Sequence, residues 1–153
     1  MVHRSRKLLH IDDDEPFTRL MAHRLGQHGY QLDAFHDPML ALAELANDQH
    51  RVVLLDINMP GVNGLELLRQ IKRRDGSIQV IMLTAHVGVD VILQSLRWGA
   101  EGCFFKPVTD IHPLLECLDL TFRKLDRWQE AISEMNSAPA ASSTAGRNLP
   151  DRE

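Results

Sequence analysis

The chain has 153 residues, 44% apolar and 25% charged, which is ordinary for a soluble domain with a real core. Lys and Arg number 17 against 21 Asp and Glu, and the formal charge of −4 argues against general nucleic-acid binding. No apolar run nears the ~20 residues of a membrane span, and acids cut the first one too short for a signal peptide, so the expected location is the cytoplasm.

The first apolar run, LLHI at 8–11, reads as a strand and opens into Asp12, Asp13, Asp14 and Glu15. Asp14 suits a helix N-cap, and Pro16 suits the first turn. Glu15 and Asp14 then favour the positive end of the helix dipole rather than a metal. Phe17, Leu20, Met21 and Leu25 share one face of this first helix. QLDAF at 31–35 is a second strand, ending in His36-Asp37-Pro38 with no obvious chemistry. VVLLDI at 52–57 is a third, and it delivers Asp56 into the loop NMPGVNG. Leu65, Leu68 and Ile71 mark a third helix. IQVIML at 78–83 is a fourth strand and leads to Thr84. Val89, Ile92, Leu93 and Leu96 share a face of the next helix. GCFF at 102–105 is a fifth strand, followed by Lys106. Gly29, Gly76 and Gly99 fall where helices should stop. Several strands are continuously apolar, as strands covered on both faces are. Strand alternating with helix predicts an α/β fold with an open parallel sheet.

From about Thr109 one apolar side continues through Leu114, Leu118, Phe122, Leu125, Trp128 and Ile132. A helix over 110–134 would run about 37 Å. Leu118, Leu125 and Ile132 lie at heptad spacing. Only the first turns fit on a short sheet, so the remainder predicts a cover, such as a homodimer through the fourth and fifth helices. The alternative is that this end frays or folds back on its own domain. The expected organisation is a flexible start at 1–6, a domain at 7–120, a helix extension at 121–135 and a disordered tail at 136–153. The free thiols Cys103 and Cys117 form no C-x-x-C pair and read as small packing residues in a reducing compartment.

In open parallel sheets, ligands bind at the carboxyl ends of the strands. The residues predicted there are Asp12, Asp13, Asp56, Thr84 and Lys106. Carboxylates crowded together raise one another's pKa, and a divalent cation relieves this. Oxygen-only ligands and an open site favour Mg²⁺. A cation, an ammonium and a hydroxyl suffice for phosphoryl transfer, and a carboxylate can be the nucleophile. Asp56, alone on the middle strand, is the best candidate for it. Asp12 and Asp13 would hold the metal.

The motifs IDDDEP, LLDINMPGVNG, MLTAH and FFKPV, in this order and spacing, resemble the receiver domain of two-component response regulators, chemotaxis-regulator-like. The resemblance covers about residues 7–120. It implies a flavodoxin-like (βα)5 sheet of order 2-1-3-4-5, here with an extended C-terminal helix. It implies that Asp56 is the phosphoacceptor and that Asp13 binds Mg²⁺ directly, with Asp12 acting through a water. Asp56 itself and the backbone carbonyl of Asn58 would be further metal ligands. Thr84 would be the switch hydroxyl, Lys106 the cation, and Lys106–Pro107 a cis peptide. The implied donor is a sensor histidine kinase or a phosphotransfer protein, and an unknown downstream protein would read the switch. Such a chain is a phosphoacceptor switch and not a turnover enzyme; the alternative is a phosphorylation-independent adaptor or dimerisation scaffold. One position departs from the family pattern. Cys103 stands where these domains usually carry Tyr or Phe, so it either packs while another element carries the signal or alters the output coupling. His86 would guide or shield a hydrolytic water, or else sit exposed in its loop.

Overall fold

The computed structural model describes residues 6–139; Arg6, expected in the flexible start 1–6, lies in the first strand, the last helix runs to Ser137 into the tail expected at 136–153, and the rest of both segments lies outside the described residues. In chain order the elements are β1 (Arg6–Ile11), α1 (Glu15–Gly26), β2 (Tyr30–Phe35), α2 (Pro38–Leu45) and β3 (Val52–Leu55). A small hairpin follows, β4 (Asn58–Met59) and β5 (Val62–Asn63), and then α3 (Gly64–Arg74). The chain continues through β6 (Gln79–Thr84), α4 (Val89–Arg97), β7 (Gly102–Phe105) and α5 (His112–Ser137).

Five strands form one parallel sheet in the order β2-β1-β3-β6-β7. Counted without the hairpin, this is the predicted 2-1-3-4-5. The buried runs explain it. Leu8, Leu9, Ile11, Val52–Leu55 and Val80–Leu83 are fully buried, because helices cover both faces. Side chains alternate between faces along each strand. Leu9, Ile11, Val53, Leu55, Val80 and Met82 pack with α2 and α3. Leu8, Leu54, Ile81 and Leu83 pack with Met21 and Leu25 of α1 and Leu114 and Leu118 of α5.

Short polar side chains start the helices. Asp14 accepts the Phe17 N–H at 3.0 Å, Asp37 the Met39 N–H at 2.9 Å, and Asn63 the Leu65 N–H at 2.9 Å. Gly29 and Gly99, at φ +84° and +89°, turn the chain after α1 and α4. Gly76 does not take a left-handed conformation; α3 ends two residues earlier, at Arg74, and its cap Asp75 is extended.

In the fourth helix the shared apolar face lies outward and not against the sheet. Val91 and Ser95 face inward, while Val89, Ile92, Leu93 and Leu96 are exposed. The apolar stripe was legible, but its direction was not. A short helix at the sheet's margin needs little inward area, and its larger side chains are left for solvent. Leu20 of α1 is exposed in the same way.

Helix α5 leaves the sheet as its length requires. Leu118 and Thr121 are buried, Phe122 and Leu125 are partly covered, and Trp128, Ile132 and Met135 are exposed. Phe122 does not await a partner: Tyr30 lies 5.9 Å away and the Arg6 guanidinium 5.6 Å from its ring. Arg6 also bonds Asp119 of α5 at 2.7 Å. Beyond this point the helix overhangs the amino ends of the strands. A groove of about 880 Å³ lies there, with Arg6, Lys7 and Arg51 on one wall and Asp126, Glu130 and Glu134 on the other. Among the described residues, no helix is long and apolar enough to cross a membrane.

Candidate functional site

Strand order builds the site. β1 and β3 are neighbours, with Ile11 beside Leu55 in the register, so the next residue of each strand reaches the same rim. Asp56 donates its backbone N–H to the Ile11 carbonyl at 3.0 Å, and Asp12 donates its own to Phe35 at 3.1 Å. The two carboxylates therefore stand side by side. Asp12 is fully buried and Asp56 is 4% exposed, whereas Asp13 faces solvent. One oxygen from each of the three lies within 4.8 Å of the others.

The charges are balanced unequally. Lys106 places Nζ 2.6 Å from Asp12 Oδ2 and 3.6 Å from Asp56 Oδ2. The ring centroid of Phe17 lies 4.3 Å from the same ammonium. Asp12 Oδ1 accepts the Asp14 N–H at 2.9 Å. Burial, and then the charge of Asp12, push the Asp56 carboxyl above the usual carboxylate range. Lys106 and the backbone N–H groups of Asn58 and Ile57 pull it back in part. One ammonium thus serves two buried carboxylates, and the exposed Asp13 adds a third negative group beside them. The donors are all oxygen and partly open to solvent, which fits a hard cation such as Mg²⁺.

Thr84 ends β6, fully buried, and its Oγ1 accepts the His86 N–H at 3.1 Å. Its carbonyl accepts the Lys106 N–H at 2.8 Å, which ties the hydroxyl and ammonium strands together at the rim. Lys106–Pro107 is cis, as the resemblance implied. Asn58, at the start of β4, and His86, in the loop after β6, are both exposed. Cys103 is half-buried on the α3–α4 side, and burial pushes its thiol pKa up. Phe104 lies on the opposite face, as strand alternation requires.

Two residues went unread in the sequence. Gly64 begins α3 directly beneath Asp56, and a Cβ there would stand 2.0 Å from the Asp56 carbonyl oxygen. The motif NMPGVNG contained it, but only the packing shows which glycine matters. His10 stands two residues before Asp12 on β1 and so faces the same side. It is fully buried, and neither ring nitrogen has a hydrogen-bond partner among the described residues. Burial, with Lys106 nearby, pushes its pKa down to about 3, so the ring is neutral. Alternation along LLHIDD was a signal that could have found it.

A parallel five-stranded sheet with this rim defines a signal-receiving domain. The profile of the response regulator receiver domain matches residues 8–119, and the chain belongs to that family, part of the two-component systems. A transcriptional regulatory protein, a CpxR homolog of Haemophilus influenzae, is 38% identical over 105 residues. That match covers 68% of this chain and 45% of the relative. The DNA-binding transcriptional regulator NtrC of Salmonella typhimurium is 35% identical over 126 residues, covering 82% of this chain and 26% of its own length. The chain thus spans less than half the length of either regulator. Among solved structures, a CheY-like receiver domain from Methanospirillum hungatei has a TM-score of 0.70 at 26% identity, over 79% of this chain and 99% of that one. Response regulator TrrA of Thermotoga maritima, in complex with Mg(2+)-BeF, has a TM-score of 0.68 at 28% identity, over 76% and 98%.

Proposed function

We propose that Asp56 accepts a phosphoryl group from a sensor histidine kinase or a phosphotransfer protein, in a Mg²⁺-dependent reaction in the cytoplasm. The observation that carries this reading is the convergence of Asp12, Asp13 and Asp56 within 4.8 Å of one another, with the Lys106 ammonium against Asp12 and Asp56. An Asp56 oxygen attacks the phosphorus of a phosphohistidine. The P–N bond breaks, its electron pair leaves with the imidazole, and an acyl phosphate forms. Asp12, Asp13 and the Asn58 backbone carbonyl would hold the ion, which supplies positive charge for the transferring oxygens. Lys106 neutralises a further oxygen, and the Thr84 hydroxyl donates to another. The phosphorylated chain then alters contacts on the face of α4, β7 and α5, where a downstream protein reads it.

Intact mass after incubation with acetyl phosphate and Mg²⁺ tests this. One added phosphoryl group is expected, absent with EDTA and absent in Asp56→Ala. A wild type that stays unmodified ends the proposal.

The exposed apolar residues of α4 and α5 favour a further reading in which the chain pairs with itself through these helices. Sedimentation should then give a dimer, and Trp128→Glu with Ile132→Glu should give a monomer. Equal masses for the two proteins would remove the dimer. A wild-type dimer unchanged in mass and partner binding by beryllofluoride would favour a phosphorylation-independent scaffold.

A further inference from the structure

His10 is a buried polar group that the free protein leaves unused. Its side chain is fully buried, and both ring nitrogens lack a partner among the described residues. Leaving a buried donor unpaired costs free energy, and an apolar side chain of similar size would avoid that cost. Its neighbours are an edge-on Phe17 ring at 5.8 Å and Asp12 Oδ2, 3.8 Å from Nε2. That oxygen is the one Lys106 occupies, at 2.6 Å.

The reaction at Asp56 changes this balance. A phosphoryl group adds negative oxygens next to a lysine already 3.6 Å from the Asp56 carboxylate. The ammonium is drawn towards them. Asp12 Oδ2 then loses the Lys106 ammonium, its side-chain donor among the described residues. We propose that His10 is a positioning residue for the phosphorylated state: as Lys106 turns to the phosphoryl oxygens, the His10 Nε2–H takes over the hydrogen bond to Asp12 Oδ2. The distance must close by about 1 Å to reach ordinary hydrogen-bond length. A neutral imidazole carries one N–H, so the tautomer protonated at Nε2 suffices. The handover keeps Asp12 oriented while Lys106 is engaged elsewhere. The inference rests on the phosphoacceptor reading of Asp56.

Beryllofluoride with Mg²⁺, added to the full chain, separates the two claims. In the wild type the His10 ring ¹⁵N–¹H signal, identified by its loss in His10→Val, should shift downfield and become protected from solvent exchange on binding. His10→Val should melt no lower than wild type without ligand, yet bind the beryllofluoride complex about tenfold more weakly. His10→Gln, which retains an N–H donor, should recover most of that affinity. A wild type that binds beryllofluoride with no change at His10, or a His10→Val protein of unaltered affinity, overturns the handover alone. A wild type that does not bind it overturns the phosphoacceptor reading, and the handover with it.

Discussion

Asp56→Asn should take up no phosphoryl group from acetyl phosphate and yet melt at a higher temperature than the wild type at pH 7. The two effects share one cause. The Asp56 carboxyl is buried beside Asp12, and its pKa in the folded chain lies above the ordinary value. A carboxyl raised in this way binds its proton more tightly when folded. Stability is therefore lost as pH rises from the unfolded value, about 4, through the folded one, and the deficit persists at neutral pH. Asparagine has nearly the same shape and no charge, so it removes the deficit together with the proposed nucleophile. Lys106 then serves Asp12 alone. The gain should vanish near pH 3, where the wild-type carboxyl is protonated in both states. Thermal melts of both proteins at the two pH values check this. An Asp56→Asn protein that melts below wild type at pH 7 would show the carboxylate to be a net stabiliser, contrary to the direction of its pKa.

Gly64→Ala should be among the most damaging single-methyl additions in the chain. The new Cβ would stand 2.0 Å from the Asp56 carbonyl oxygen and 2.6 Å from the Ile57 Cα. Both are backbone atoms, so no side chain can swing aside. The Gly64 N–H also donates to the Ile57 carbonyl at 2.7 Å, which holds the loop closed over the start of α3. Relief requires the segment 56–64 to move, and Asp56 moves with it. The expected cost is roughly 3 kcal/mol, or a fall in melting temperature of about 10 °C. Phosphoryl uptake should fall as well, even where the variant remains folded. Gly61→Ala makes a useful contrast: nothing lies within 4 Å of its added Cβ, and only the φ of +74° opposes it. A Gly64→Ala protein with wild-type melting and uptake would mean that this backbone yields easily.

The sheet and its rim were legible because they follow from local rules. Continuous apolar runs mark covered strands, and chemistry collects where those strands end. Asp12, Asp56 and Lys106 lie far apart in the sequence, yet the strand order alone makes them neighbours. What stayed hidden depends on direction and distance between elements. The spacing of Val89, Ile92, Leu93 and Leu96 announces a helix face and says nothing of whether protein or solvent meets it. Gly64 looks like any loop glycine until the Asp56 carbonyl is placed against it. His10 sits among apolar neighbours as if it were one more core residue, and only the absence of a hydrogen-bond partner sets it apart. Phe122 is apolar in an overhanging helix, but Arg6 and Tyr30 from the other end of the text cover it.

The 26-residue helix α5 has one end packed beside the sheet and the other beyond it. At about 1.5 Å per residue it is a rod near 39 Å long, and a tilt of roughly 5° at its base would sweep the tip through about 3 Å. A rearrangement too small to disturb the packing around Leu114 and Leu118 would therefore arrive magnified at Trp128 and Met135. The geometry of a long rod held at one end puts the largest travel for any given tilt at the exposed Trp128, Ile132 and Met135, at the pole opposite the acidic rim.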